Sequence, residues 1–220
     1  MDPLALLLPV RCAGCRRAGV EICGDCLRGL RRLRGPLCAR CGAPTAWPVE
    51  RCRECAGRRL AFARARAAVA YEEPARSIVG AWKEGGLRRL SGLAADLVAR
   101  ELARPEVDAL AFAPADPDRG LRRGRHPAEE LARALGLRWG LPVERLLVRP
   151  RTAPPQRGLA RAARRRNVAG AYRATGPAPR RVCLVDDVYT TGATVNACAS
   201  ALRRAGARRV EVVTFARAVR

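Results

Sequence analysis

Eight of the ten cysteines lie between residues 12 and 55 as four C-x-x-C pairs: Cys12/Cys15, Cys23/Cys26, Cys38/Cys41 and Cys52/Cys55. Cysteines in this spacing put both sulfurs on one side of a tight turn, so two pairs supply the four thiolates of a tetrahedral Zn²⁺ site. Sequential pairing assigns Cys12, Cys15, Cys23 and Cys26 to one site and Cys38, Cys41, Cys52 and Cys55 to the other, each closing around a short loop. A cross-braced pairing, first pair with third and second with fourth, satisfies the same spacing. One or two zinc ions are expected, and four thiolates leave no open coordination position, so their role is structural. A module of this size cannot bury a core of its own and relies on such staples. Disulfides suit an oxidising compartment, and redox-active C-x-x-C sites do not usually recur four times in one short segment.

Near residue 60 the composition changes. Residues 1–60 form the cysteine module, and residues 61–220 read as one α/β domain of alternating apolar and Ala/Leu/Arg-rich segments. Aromatic residues make up only 4% of the chain, which favours helices on a buried aliphatic sheet. Strands are predicted over 65–71, 107–113, 146–148, 181–185 and 209–216, and helices over 74–83, 87–104, 127–137 and 194–205. The last strand, helix and strand form a βαβ unit of a parallel sheet. Trp47, Trp82 and Trp139 are expected to pack as apolar anchors, and Cys183 and Cys198 as small buried hydrophobes.

The formal net charge is +23, and Lys83 is the only lysine. Such a charge attracts polyanions, although arginine spread over every solvated face gives the same total. The apolar run at residues 4–10 is too short to span a bilayer and no basic segment leads it, so the chain is expected to be cytoplasmic.

The chemistry is concentrated at residues 182–194. Val182, Cys183, Leu184 and Val185 run into Asp186-Asp187, then into Thr190-Thr191-Gly192-Ala193-Thr194 and a helix. Gly192 lets the backbone approach an anion, unpaired N–H groups open the helix, and the threonine hydroxyls add donors. Paired carboxylates at a strand end suit vicinal ribose hydroxyls, directly or through Mg²⁺. Together these residues describe a ribose-5-phosphate cradle.

This stretch resembles the 5-phosphoribosyl-1-pyrophosphate (PRPP) motif of type I phosphoribosyltransferases, and the whole chain resembles the ComF family. That wider resemblance includes the cysteine block, Tyr71 to Lys83, Ala113 to Arg125, and Gln156 with Arg166-Asn167. The family commonly has Pro-Val-Pro where this chain has Ala113-Pro114-Ala115, and Arg-Gly-Phe-Asn-Gln where it has Arg123-Gly124-Arg125-His126-Pro127. The resemblance implies a parallel-sheet type I phosphoribosyltransferase fold behind a double zinc ribbon. It also implies a PRPP site of Val185, Asp186, Asp187, Val188, Thr190, Thr191, Gly192, Ala193 and Thr194, with Mg²⁺ arriving with PRPP. Asp186 and Asp187 would be the catalytic pair, and Lys83, Arg119, Arg122 and Arg123 the pyrophosphate-side cations. Residues 151–167 lie where type I enzymes carry a closing loop, and a plain basic loop fits their composition equally. His126 reads as a surface residue, with a catalytic base as the alternative. Two functions stay open: transfer of phosphoribose with release of pyrophosphate, or a non-catalytic PRPP sensor that holds single-stranded DNA beside the competence helicase machinery.

Overall fold

The computed structural model describes residues 10–84, 87, 89–115, 126–150 and 171–219. Its centre is a four-stranded sheet of β1 (Arg64–Ala70), β2 (Ala109–Phe112), β5 (Arg181–Tyr189) and β6 (Arg209–Arg217), in the order β1-β6-β5-β2. All three pairings are parallel. Parallel strands covered on both faces read as continuous apolar runs, which is why Val182–Val185 lacks alternation; in β6 the one charge within the run, Glu211, is buried and paired with Arg64 and Arg209.

On one face lie α2 (Ala75–Glu84), α3 (Arg89–Glu101) and α4 (Pro127–Trp139). Their Trp82, Leu90, Leu131 and Leu135 pack with Cys183, Val185, Val213 and Phe215. On the other, α5 (Ala193–Arg204) sets Cys198 and Leu202 against Val182, Leu184, Val210 and Val212. The βαβ unit expected at the C-terminus is β5-α5-β6. A separate antiparallel ribbon joins β3 (Leu147–Val148) to β4 (Arg173–Ala174); β4 escapes sequence reading because two residues carry no periodicity.

The cysteine module, with the short helix α1 (Gly24–Gly29), lies along the outer edge of β1. Leu33 N donates to Ala68 O (3.1 Å), Ala70 N to Arg31 O (2.9 Å) and Ala65 N to Arg40 O (2.9 Å). These bonds satisfy an edge that would otherwise invite pairing with another chain. Cys12, Cys23, Cys26 and Leu30 join the Trp82 side of the core, whereas Cys38, Cys41, Cys55 and Phe62 join the α5 side. The module therefore buries its apolar atoms against both layers of the α/β unit.

Two expectations are corrected. Strand β5 does not stop at Val185 but continues through both aspartates to Tyr189, because β6 pairs with it to Arg217. Trp47 is 68% exposed rather than packed, while Trp82 and Trp139 are buried as expected.

Candidate functional site

Because β5 continues through the aspartates, the alternation of a strand turns their side chains to opposite faces. Asp187 lies on the α2 side, where Lys83 Nζ meets its Oδ1 at 2.8 Å. Asp186 falls on the α5 side with Val182 and Leu184, within electrostatic reach of Cys198. Asp187 N donates to Asp186 Oδ1 (2.9 Å). Both carboxylates reach a cavity of about 80 Å³ at the C-terminal edge of the sheet, which Ala113, Pro114, His126 and Thr194 also line. Burial pushes the Asp186 carboxyl up, to about 8; repulsion from Asp187 adds to the rise, and Lys83 opposes it. The site thus holds one ion pair and one carboxyl inclined to keep its proton.

The Thr/Gly turn follows immediately. Gly192 has φ +71°, the left-handed region that an L side chain adopts only with strain. It lies against the ring of Tyr189, so close that a Cβ would overlap the Tyr189 hydroxyl. Thr191 Oγ1 accepts from Ala193 N (3.3 Å), Thr190 is exposed, and Thr194 faces the cavity at the start of α5. Val185 is fully buried and Val188 partly so; both are sheet residues whose side chains support the site from below.

Lys83, Asp186, Asp187 and Thr194 are therefore brought together. Arg119, Arg122, Arg123 and the stretch 151–167 lie outside the described residues. His126, read as a surface residue, instead lines the cavity at the N-cap of α4, and its Nδ1 is buried with no partner among the described residues. The Pro at N1 of α4 was the sequence signal that could have placed it there.

Sequence reading also missed the side chains that brace the turn from the cysteine module. Arg58 donates to Thr191 O (2.9 Å), and Asn196 on α5 accepts from Ala61 N (2.7 Å). Arg217, 1% exposed, stacks its guanidinium 4.5 Å from the Tyr189 ring centroid. Nothing in the local sequence marks an arginine at a strand end as buried.

The eight cysteines form two groups, Cys12/Cys15/Cys23/Cys26 and Cys38/Cys41/Cys52/Cys55, with all sulfurs of a group within 4.8 Å of one another. This is the sequential pairing; the cross-braced one is excluded. Sulfur separations of 3.6 Å (Cys15–Cys23), 3.6 Å (Cys38–Cys55) and 3.5 Å (Cys41–Cys52) fit a tetrahedron with Zn–S bonds of about 2.3 Å. Burial pushes the Cys12 and Cys38 thiols up, but main-chain N–H donors outweigh it and bring both to about 6. Those donors are Cys15 and Cys23 for the first thiol, Cys41 and Cys52 for the second. The chemistry of both groups fits zinc.

The chain was compared with known protein families, sequences and structures. A double zinc ribbon domain family matches residues 3–56. Competence protein F of Haemophilus influenzae is 29% identical over 224 residues, covering 94% of this chain and 97% of its own. DNA utilization protein YhgH of Salmonella typhi is 30% identical over 203 residues, covering 87% and 88%. Among solved structures, adenine phosphoribosyltransferase from Thermoanaerobacter pseudethanolicus overlaps 68% of this chain and 76% of its own, with 14% identity and a TM-score of 0.39. No helix among the described residues is long and apolar enough to cross a membrane. With zinc-binding geometry at its N-terminus, a parallel α/β sheet behind it and relatives matched along nearly their whole length, the chain belongs to the competence protein F family.

Proposed function

We propose that this protein is a cytoplasmic phosphoribosyltransferase that binds PRPP with Mg²⁺ and transfers phosphoribose to an acceptor, in the DNA uptake or utilization for which its relatives are named. The cysteine module, residues 1–60, would serve as a structural support for the transferase part, residues 61–220. One observation carries the reading: a positive-φ glycine and a helix N-terminus sit beside two carboxylates at the carboxyl edge of a parallel sheet, where α/β folds bind nucleotide-like ligands.

The main-chain N–H groups of Gly192 and Thr194 and the threonine hydroxyls hold the 5-phosphate, and Asp186 and Asp187 hold the ribose hydroxyls. As the bond from C1 to pyrophosphate breaks, positive charge grows on the ring; the ionised Asp187 carboxylate stabilises it, and Asp186 does so once its proton is lost. Lys83 turns from Asp187 toward the departing pyrophosphate, joined by Arg119, Arg122 and Arg123. Without ligand Asp187 is paired with Lys83, so Mg²⁺ would arrive with the ligand's phosphates, and Asp187 would face it once Lys83 has turned to the pyrophosphate. Mg²⁺ held there would supply positive charge to the leaving pyrophosphate.

Calorimetric titration of zinc-loaded protein with PRPP and Mg²⁺, beside an Asp186→Asn/Asp187→Asn variant, tests the reading. Binding by the wild type alone, with pyrophosphate released when an amine or base acceptor is added, supports it. No binding by the wild type overturns it. A second reading, a PRPP sensor that holds single-stranded DNA beside the helicase machinery, is favoured by exposed Trp47 on a chain of net charge +23. It predicts PRPP binding without pyrophosphate release, and DNA affinity that falls steeply with salt.

A further inference from the structure

The second cysteine group is wired to the Thr/Gly turn by two arginines that no part of the proposed chemistry uses. Arg217, at the end of β6, donates to Cys41 O (2.7 Å) and to Glu54 Oε2 (2.7 Å), and lies 3.7 Å from Cys41 Sγ. Cys41 and the residues on both sides of Glu54, Cys52 and Cys55, belong to one cluster. The opposite contact of the guanidinium is the Tyr189 ring, which Phe62 also meets edge-on at 6.4 Å. Tyr189 in turn underlies Gly192. Arg58, three residues beyond Cys55, makes the second link, straight to Thr191 O (2.9 Å). The first cluster has no such connection among the described residues; its Cys26 and Pro74, ahead of α2, both lie against Gly14.

We propose that Arg58 and Arg217 are positioning residues through which the Cys38/Cys41/Cys52/Cys55 zinc site fixes the anion-binding turn, so that zinc at this cluster and PRPP at the turn reinforce each other's binding. This rests on the PRPP reading above. Zinc holds the cluster's loop, the loop holds the Cys41 carbonyl and the Glu54 carboxylate, and these hold the guanidinium that backs the Tyr189 ring. Without zinc Arg217 loses the Cys41 carbonyl and the Glu54 carboxylate as fixed partners, and Arg58 loses the Glu54 carbonyl it also reaches (3.4 Å), so the turn must be ordered at the expense of ligand affinity. Coupling between binding sites is reciprocal, so a ligand that orders the turn retains the zinc.

The test uses full-length, zinc-loaded protein. Chelator-induced zinc loss is followed with and without PRPP and Mg²⁺, and the freed thiols are alkylated and mapped by mass spectrometry. The expected result is that PRPP slows alkylation of Cys38, Cys41, Cys52 and Cys55 by about tenfold, a typical coupling, and leaves Cys12, Cys15, Cys23 and Cys26 unchanged. In Arg58→Ala, whose side chain is only partly buried, the PRPP-free alkylation rate stays near wild type while the protection shrinks. Arg217→Met, if it folds, abolishes it. A purely structural role for Arg58 would change the PRPP-free rate and leave the protection intact. Calorimetry on the same samples separates the two kinds of failure. PRPP that binds but protects neither cluster, or both equally, overturns the coupling alone. PRPP that does not bind overturns the reading beneath it, and the coupling with it.

Discussion

Replacing Gly192 with alanine tests whether the turn is shaped as described. At φ +71° an alanine costs about 1–2 kcal/mol relative to glycine. The new Cβ would also overlap the hydroxyl and Cζ of Tyr189 and stand 3.0 Å from its Cε2. That ring cannot swing aside cheaply, because Phe62 and Arg217 hold it and it is 3% exposed. Overpacking against a fixed group costs about 1–3 kcal/mol, so the sum is about 2–5 kcal/mol. For a chain of this size each kcal/mol lowers Tm by about 2–4 °C, giving a loss on the order of 4–20 °C. Calorimetric melts at matched zinc loading measure it. A Tyr189→Ala background separates the two contributions: the clash disappears there, and adding Gly192→Ala should cost only the roughly 1–2 kcal/mol of positive φ. A Tm change below about 2 °C for the single substitution would refute the reasoning. An undiminished cost in the Tyr189→Ala background would refute the steric half of it.

Asp186 makes stability depend on pH in a direction opposite to a salt-bridged carboxylate. Below about pH 4 its carboxyl is protonated folded or unfolded; from there to about pH 8 the unfolded chain has released a proton the folded protein still holds, so stability falls as pH rises through that window. Asp186→Asn should therefore stabilise the protein by up to a few kcal/mol at pH 8 and far less at pH 4, read from paired melts; an equal effect at both pH values would contradict the assignment. Lys83→Met should weaken PRPP by about 10- to 100-fold, the worth of a charge-assisted bond lost. An unchanged Kd would remove the chain's only lysine from the ligand site.

The four C-x-x-C pairs, with Val182 to Thr194, were enough to read a metal-stapled module ahead of a parallel α/β unit, because ligand spacing and strand-turn-helix order are local properties of the chain. The same locality allowed the aspartates and the Thr/Gly turn to be read as a cradle. What the sequence left open was every relation set by distant segments. The choice between sequential and cross-braced cysteines was settled by which sulfurs the folded module brings within 4.8 Å of one another. Lys83, in the last turn of α2, gained its Asp187 partner only because the fold brings that helix end to the carboxyl end of β5. Two consecutive aspartates were divided between the faces of the sheet because pairing with β6 carries β5 on to Tyr189. Arg217, one arginine among many in the sequence, became a buried brace only when the end of β6 met the second cysteine cluster. Burial and partnership are properties of packing between segments far apart in sequence, and no periodicity records them.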